Sequence, residues 1–382
     1  MFVIFAIIGL SILIFFHEFG HFITAKIFKI KVEEFGLGYP PRLGGFIFKK
    51  SLMKLKFFFG RNQPRDLENQ TIYSLNWIPF GGFNRLKGEM GDEDNSPDSF
   101  FAQIWWKKAI VALGGAGMNI ILAFLIFVLC YTVGLPQEID DLRNGKILEP
   151  IGIQIGMIYP NSPAEINGLK IGDIIIALNG EEAKSVEQVQ AKIKENWNAK
   201  LMFKIKRQEK IMEKEIEVIS AQDIFSDWPV SEQGAIGIAL SEVALISYPF
   251  PQAIKLGFKT TVSLMSQITS GLGLIFKNLF FHGKMVGKFL GPVGITNMAA
   301  QMAQVGIIYL LQFVGLLSVA IGIFQIIPFP ALDGSRVLLS LIEGIRGKSL
   351  KRKTENILFS LGFYLLLLLL IFITLKEVFN LF

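Results

Sequence analysis

The sequence predicts a polytopic α-helical membrane protein with about four transmembrane helices, a membrane-associated β-sheet on the cytoplasmic side and an extracytoplasmic α+β domain. Three observations predict it. Of 382 residues, 51% are hydrophobic and only 18% charged, too apolar for an ordinary soluble globule. Four stretches are long enough and poor enough in charge to cross a bilayer at ~1.5 Å per helical residue. Lysine and arginine cluster beside alternate ends of those stretches.

The first helix is expected over residues 1–27. Residues 2–16 carry no charge, and as far as Ile27 the only charged side chains are Glu18 and Lys26. Within this run stand His17-Glu18-Phe19-Gly20-His21. On a helix His17 and His21 lie one turn apart on one face, so both imidazoles reach one metal ion, and Glu18 beside them is placed to take a proton from water. The spacing suits Zn2+, one ion per chain. Ionisable groups in hydrocarbon are costly unless paired or metal-bound, which marks the trio as functional. Two of the three histidines are here, and the third, His282, is expected in a polar turn. Neither a basic start nor a small-residue cleavage site accompanies the run, so it is expected to stay attached.

Residues 28–106 are expected to form a cytoplasmic, membrane-associated β-loop region. Val32 to Tyr39 and Thr71 to Asn84 are strand-like with Gly and Pro punctuation. A sheet edge there could hold an unwound peptide by strand addition. Gly88 to Ser99, acidic and Pro-containing, reads as a solvated linker, and Trp105 and Trp106 as interfacial anchors. The second helix is expected over 107–134. It contains the lone Cys130, so no intrachain disulfide forms.

Residues 135–242 form the outer domain. Residues 158–180 run from a Ser162-Pro163-Ala164 helix start through Gly168-Leu169 and Gly172-Asp173 to a strand ending in Asn179-Gly180. This is similar to the core of a PDZ domain. The resemblance implies a peptide groove bordered by a helix at about 186–196 and a strand at 199–207, a carboxylate-cradling loop near Gln154 to Met157, and a structural Asp173. Residues 243–304 are expected as amphipathic helices on the membrane surface, since 251–281 is apolar but interrupted by Thr260, Thr261, Ser263, Ser266, Gln267, Thr269 and Ser270. Gly291 to Ile295 is expected as a loop.

The third helix is assigned to 305–335, a cytoplasmic loop to 336–354 and the fourth helix to 355–376. Lys26, Lys29, Lys31, Arg42, Lys107, Lys108, Arg346, Lys348, Lys351, Arg352 and Lys353 fall in three connections. The positive-inside rule puts these in the cytoplasm, and both termini and the outer domain on the opposite side. The formal charge of +6 is mostly this topology signal, with no reason to invoke nucleic acid.

A hydrolytic zinc site wants three protein ligands and an open position. Between Val305 and Ile342 the only charged residues are Asp333 and Arg336. Asp333 ends Ile327-Pro-Phe-Pro-Ala-Leu-Asp333, whose prolines break a helix and could turn the carboxylate inward, which makes it the candidate third ligand.

Together these residues resemble the site-2 protease family of intramembrane zinc metalloproteases, in the bacterial RseP type with a single PDZ domain. The match extends to Gly115-Ala-Gly-Met-Asn119, similar to the family's GxxxN element, and to Ile78-Pro-Phe-Gly-Gly-Phe-Asn-Arg-Leu-Lys-Gly-Glu89, similar to its membrane-associated β-loop. Where the family has Asn before Pro-x-Pro, this chain has the longer amide Gln325. The resemblance implies hydrolysis of peptide bonds within or near the transmembrane segment of single-pass membrane proteins, such as pre-cleaved anti-sigma factors or remnant signal peptides. It further implies Glu18 as catalytic base, His17, His21 and Asp333 as zinc ligands, and Asn119, Gln325, Gly81, Gly82 and Phe83 as substrate-positioning residues. The setting it implies is the bacterial inner membrane, with the lipid bilayer as a partner and a peptide or the substrate's outer domain at the PDZ domain. A silent scaffold would need neither Glu18 nor Asp333. A metal transporter would need a polar outer path, where Phe2 to Phe16 offers only Ser11.

Overall fold

The computed structural model describes residues 2–49, 54–60, 70–89, 94–138, 145–207, 210–224, 233–283, 291–348 and 352–379. In chain order the described elements are α1 (Phe2–Ile27), β1 (Val32–Lys49), β2 (Lys54–Phe59), β3 (Ile72–Leu86), α2 (Trp105–Val133), β4 (Leu135–Glu138) and β5 (Lys146–Ile158). There follow α3 (Pro163–Ile166), β6 (Ile174–Leu178), β7 (Glu181–Glu182), α4 (Val186–Glu195), β8 (Lys200–Arg207), β9 (Lys210–Glu217), β10 (Ile219–Ser220) and α5 (Ala221–Ile224). The chain closes with β11 (Gly234–Ala235), β12 (Ile238–Ser247), α6 (Phe250–His282), α7 (Pro292–Val305), α8 (Ile307–Ile326), α9 (Asp333–Arg346) and α10 (Arg352–Phe379). Among the described residues, four helices, α1, α2, α8 and α10, are long and apolar enough to cross a membrane. The chain divides into two compact units.

One unit comprises residues 1–126, 258–300 and 313–382. Its sheet runs β2-β1-β3, all antiparallel. β2 has no counterpart among the elements expected from sequence, and its edge carries Phe57 and Phe59, 67% and 83% exposed. α1 packs on this sheet through rings, with Phe15, Phe19 and Phe22 at 5.5, 6.0 and 4.8 Å from Phe35. α1 and α2 cross at glycine, since a β-carbon on Gly20 would collide with the Gly114 carbonyl oxygen.

Several expectations for this unit are corrected. The third span ends at Ile326, and most of the expected loop 336–354 is helical, because Val337, Leu338, Leu341, Ile342 and Ile345 recur at helical spacing after the proline break. α9 stops at Gly347, whose φ of 67° only glycine adopts freely. Gly88 to Ser99 is not a solvated linker in its described parts. Lys87 draws Asp98 to 2.7 Å and Asp94 to 3.7 Å, and Ser99 is wholly buried. Residues 90–93 lie outside the described residues. Gly291 to Ile295 starts α7 instead of forming a loop, with Glu377 accepting from the Gly291 and Gly294 amides at 2.6 and 3.2 Å, as a carboxylate at a helix N-terminus should. His282 is the last residue of α6, not part of a turn.

The other unit comprises 127–257 and 301–312. Its sheet runs β4-β12-β5-β6-β8-β9, with β7 paired to β6. Ile155, Leu178, Leu201, Phe203, Ile205 and Ile216 fill the core, and α4 adds Val189 and Ile193. Ser162 caps α3 and Ser185 caps α4 through their hydroxyls. Asp173 is fully buried, accepts two bonds from Arg207 at 2.6 and 2.7 Å and one from the Lys170 amide at 2.8 Å. Gln154 to Met157 is not a loop: it lies inside β5, with Gln154 opposite both Ser241 of β12 and Ile174 of β6. The Gln154 side chain exchanges hydrogen bonds with the Tyr309 hydroxyl at 2.7 and 3.0 Å.

Candidate metal centre

α1 carries His17 and His21 on one face, and their Nε2 atoms are 3.2 Å apart. Asp333, first residue of α9, brings its Oδ2 to 3.0 Å from His17 Nε2 and 3.1 Å from His21 Nε2. Neighbouring donors around a tetrahedral zinc are separated by roughly 3.3 Å, which follows from zinc–ligand distances of about 2.0–2.1 Å. The outer ring atoms set the state of the inner ones. His21 Nδ1 lies 2.8 Å from the Val111 carbonyl oxygen, which only accepts, so the proton sits on Nδ1 and Nε2 presents a lone pair. Asp333 Oδ2 is buried yet receives no hydrogen bond of acceptable geometry. Three lone-pair atoms facing one another repel unless a cation lies among them, so the donor set fits a divalent metal such as zinc.

The second helix shapes the space behind the histidines. A β-carbon on Gly115 would stand 2.5 Å from His21 Nε2 and 2.7 Å from His17 Nε2, so bare backbone is needed there. One turn on, Asn119 is fully buried with its side-chain amide 3.4 Å from His17 Nδ1. Turning that amide over would give Oδ1, which has no partner, the Nδ1 proton of His17. Ser318 of α8 donates to the Asn119 carbonyl oxygen at 2.7 Å.

A cavity of about 1300 Å³ opens onto the three donor atoms and is lined by Glu18, Phe83 and Gln325, among others. Of the remaining residues singled out in the sequence, Asn119 stands behind His17, away from the lining. Gly81 and Gly82 also stand outside it, where they let β3 approach Ile14 and Phe15 of α1. Among the lining residues that carry no role in the sequence-based expectations are Glu89 and Arg336, which form an ion pair. Arg336 had one available signal, as the only other charge near Asp333.

The Peptidase family M50 model matches residues 5–369. The chain is 32% identical over 379 residues to a candidate zinc metalloprotease of Clostridium perfringens, covering 99% of this chain and 98% of that protein. It is 27% identical over 457 aligned residues to the regulator of sigma-W protease RasP of Bacillus subtilis, covering 98% of each. It is 25% identical over 451 to the zinc metalloprotease RasP of Geobacillus kaustophilus, covering 97% of this chain and 96% of that one.

Proposed function

The chain belongs to Peptidase family M50 and is a zinc metalloprotease, and from that premise we propose how its residues divide the work. His17, His21 and Asp333 hold the metal, and Glu18 is the general base. The observation that carries this reading is the convergence of the two Nε2 atoms and Oδ2 within 4.8 Å, from helices at opposite ends of the chain. Bound there, zinc would supply Lewis acidity that polarises a peptide carbonyl and makes water nucleophilic near neutral pH. Glu18 takes the proton of the attacking water and returns it to the leaving amine. Val111 and Asn119 fix the outer nitrogens of the two imidazoles, keeping their lone pairs aimed inward. Gln325 and Phe83 face the same cavity and orient the substrate, while Gly81 and Gly82 bring the strand that carries Phe83 against α1.

The substrates are single-pass membrane proteins cut within or near their transmembrane segments. A helix hides its carbonyls, so the segment must unwind, and the edge of the β1–β3 sheet is suited to hold it extended. By analogy with the relative whose name gives it a sigma-W regulatory role, pre-cleaved anti-sigma factors or remnant signal peptides are the substrate class. The setting is a bacterial inner membrane with the basic connections in the cytoplasm and both termini outside.

Residues 135–242 act as a PDZ domain. The groove suggested by the strand order lies between α4 and β12 and not beside the expected strand 199–207, because β8 is paired on both sides whereas among the described residues Ile238 to Glu242 pairs with β5 on one side and with no strand on the other. Such an edge accepts a peptide strand. Val186 at the start of α4 donates to Glu242 at 3.1 Å, fixing one end of that groove.

The test is cleavage of a model single-pass substrate by purified protein in detergent, with wild type beside Glu18→Gln and zinc measured in both. Wild type should cut and the variant should retain zinc while cutting about 10²- to 10⁴-fold more slowly. A variant that cuts at the wild-type rate would remove Glu18 from the mechanism.

A further inference from the structure

We propose that the ion pair between Glu89 and Arg336 is a positioning device that sets the orientation of α9, and through it holds Asp333 against the histidines of α1. The inference rests on Asp333 being a metal ligand.

Arg336 follows Asp333 by three residues on α9, so both project from one side of that helix and both line the catalytic cavity. The start of α9 lacks a side-chain N-cap, although the Ser335 hydroxyl donates to the Leu332 carbonyl oxygen at 2.7 Å. Leu332 occupies the cap position and no side chain there accepts from the first turn. Gly334 fixes where the helix begins, because a β-carbon on it would collide with the Ile326 carbonyl oxygen. That contact acts only at the first turn of α9, so the angle at which Asp333 points depends also on holds farther along.

Arg336 is such a hold, gripped from two sides. Its Nη1 meets Glu89 Oε1, and the Phe359 ring of α10 lies 5.2 Å from the guanidinium carbon. Glu89 is itself anchored, its Oε2 accepting from the Leu86 amide at the end of β3 at 3.4 Å. The pair therefore ties the helix bearing the third ligand to the sheet that packs on the helix bearing the first two. A small rotation of α9 would move Oδ2 off the point it shares with the imidazoles, and metal sites lose about 10- to 100-fold in affinity or activity when such outer supports go.

A second ion pair on α9 supplies the control. Lys108 meets both oxygens of Glu343 at 3.0 Å, and like Glu89–Arg336 it is mostly enclosed, but it lies more than two turns beyond Asp333 and lines only a cavity of about 400 Å³ that Glu89 and Arg336 also border and Asp333 does not.

The experiment compares full-length Glu89→Gln, Arg336→Gln, Glu343→Gln and Asp333→Asn in detergent. Zinc retention is read against graded EDTA, kcat and KM on a model substrate, and the thermal midpoint on each. Glu89→Gln and Arg336→Gln are each expected to weaken zinc retention about tenfold or more and to lower kcat with little change in KM. Glu343→Gln is expected to lower only the midpoint. If a Gln variant does not fold, Arg336→Lys replaces it, keeping the charge but losing the planar fork, and should fall between wild type and Asp333→Asn in zinc retention. Glu89→Gln or Arg336→Lys with wild-type zinc retention and kcat would overturn the inference. Zinc retained by Asp333→Asn would instead overturn the ligand assignment, so the two failures are distinct.

Discussion

Gly115 stands so close to His21 that a β-carbon on it would lie 2.5 Å from the imidazole Nε2. The wall behind the candidate ligands is therefore peptide backbone, whereas a β-carbon on Gly117, two positions along the same helix, would meet nothing within 4 Å. Gly115→Ala should displace both imidazoles and reduce zinc retention and cleavage by at least about tenfold. Gly117→Ala should leave both unchanged. Equal behaviour of the two variants in zinc analysis and cleavage assays would show that the imidazoles have room to spare.

Asn119 offers a sharper probe, because an amide and a carboxylate both accept from His17 Nδ1 whereas a methyl group does not. Asn119→Ala should loosen zinc about 10- to 100-fold, and Asn119→Asp should retain it, as carboxylate–histidine–zinc arrangements do. Competition against a chelator reads the difference. Zinc loosened equally by both would assign Asn119 a packing role only.

The sheet contains a pH-sensitive tie. Burial alone would raise the Glu34 carboxyl, but hydrogen bonds from Arg42, Ser74 and Arg85 overcome it and hold the group below its ordinary value. Arg42 reaches it at 3.0 and 2.5 Å and Arg85 at 2.5 Å. A depressed folded-state value contributes stability that is fully present above the unfolded value of about 4.3 and is lost as pH falls through the folded value. The thermal midpoint should thus drop between pH 5 and pH 3 by more in wild type than in Glu34→Gln, with Glu34→Gln already weaker by about 2 kcal/mol at pH 7. Parallel curves would mean that Glu34 titrates alike in both states.

Asp173 and Arg207 form the buried tie of the other unit. Asp173→Ala leaves the part-exposed Arg207 bonded to the Gly168 carbonyl oxygen but strips the Lys170 amide of its acceptor, so it should cost about 1.5–3 kcal/mol locally. Limited proteolysis should then cut within 135–247 sooner, while zinc retention stays at the wild-type level. Loss of zinc in that variant would contradict a purely structural Asp173.

The helix-borne parts of the site were legible in the sequence because membrane length and charge poverty leave few ways to read His17, Glu18 and His21. Asp333 was legible for the same reason, as one of two charges in a long apolar stretch. α9 was not, because Arg346 and Lys348 invite a topological reading and the helical spacing that begins after Pro330 is short. Glu89 was hidden by composition: acids near a proline suggest solvent, and only folding shows that one of them meets Arg336. Gly115 and Val111 act through the crossing of α1 and α2, a tertiary fact that no local pattern carries. In the second unit, Gln154 sits where the strand is hydrogen-bonded on both sides, a consequence of the β12 return from distant sequence.

The three candidate ligands come from residues 17, 21 and 333 of a 382-residue chain. During synthesis the two histidines are made long before the carboxylate. On the proposed ligand assignment, a chain that stops short of Asp333 lacks the carboxylate and hence a complete centre, so proteolytic power depends on the last part of the chain being made.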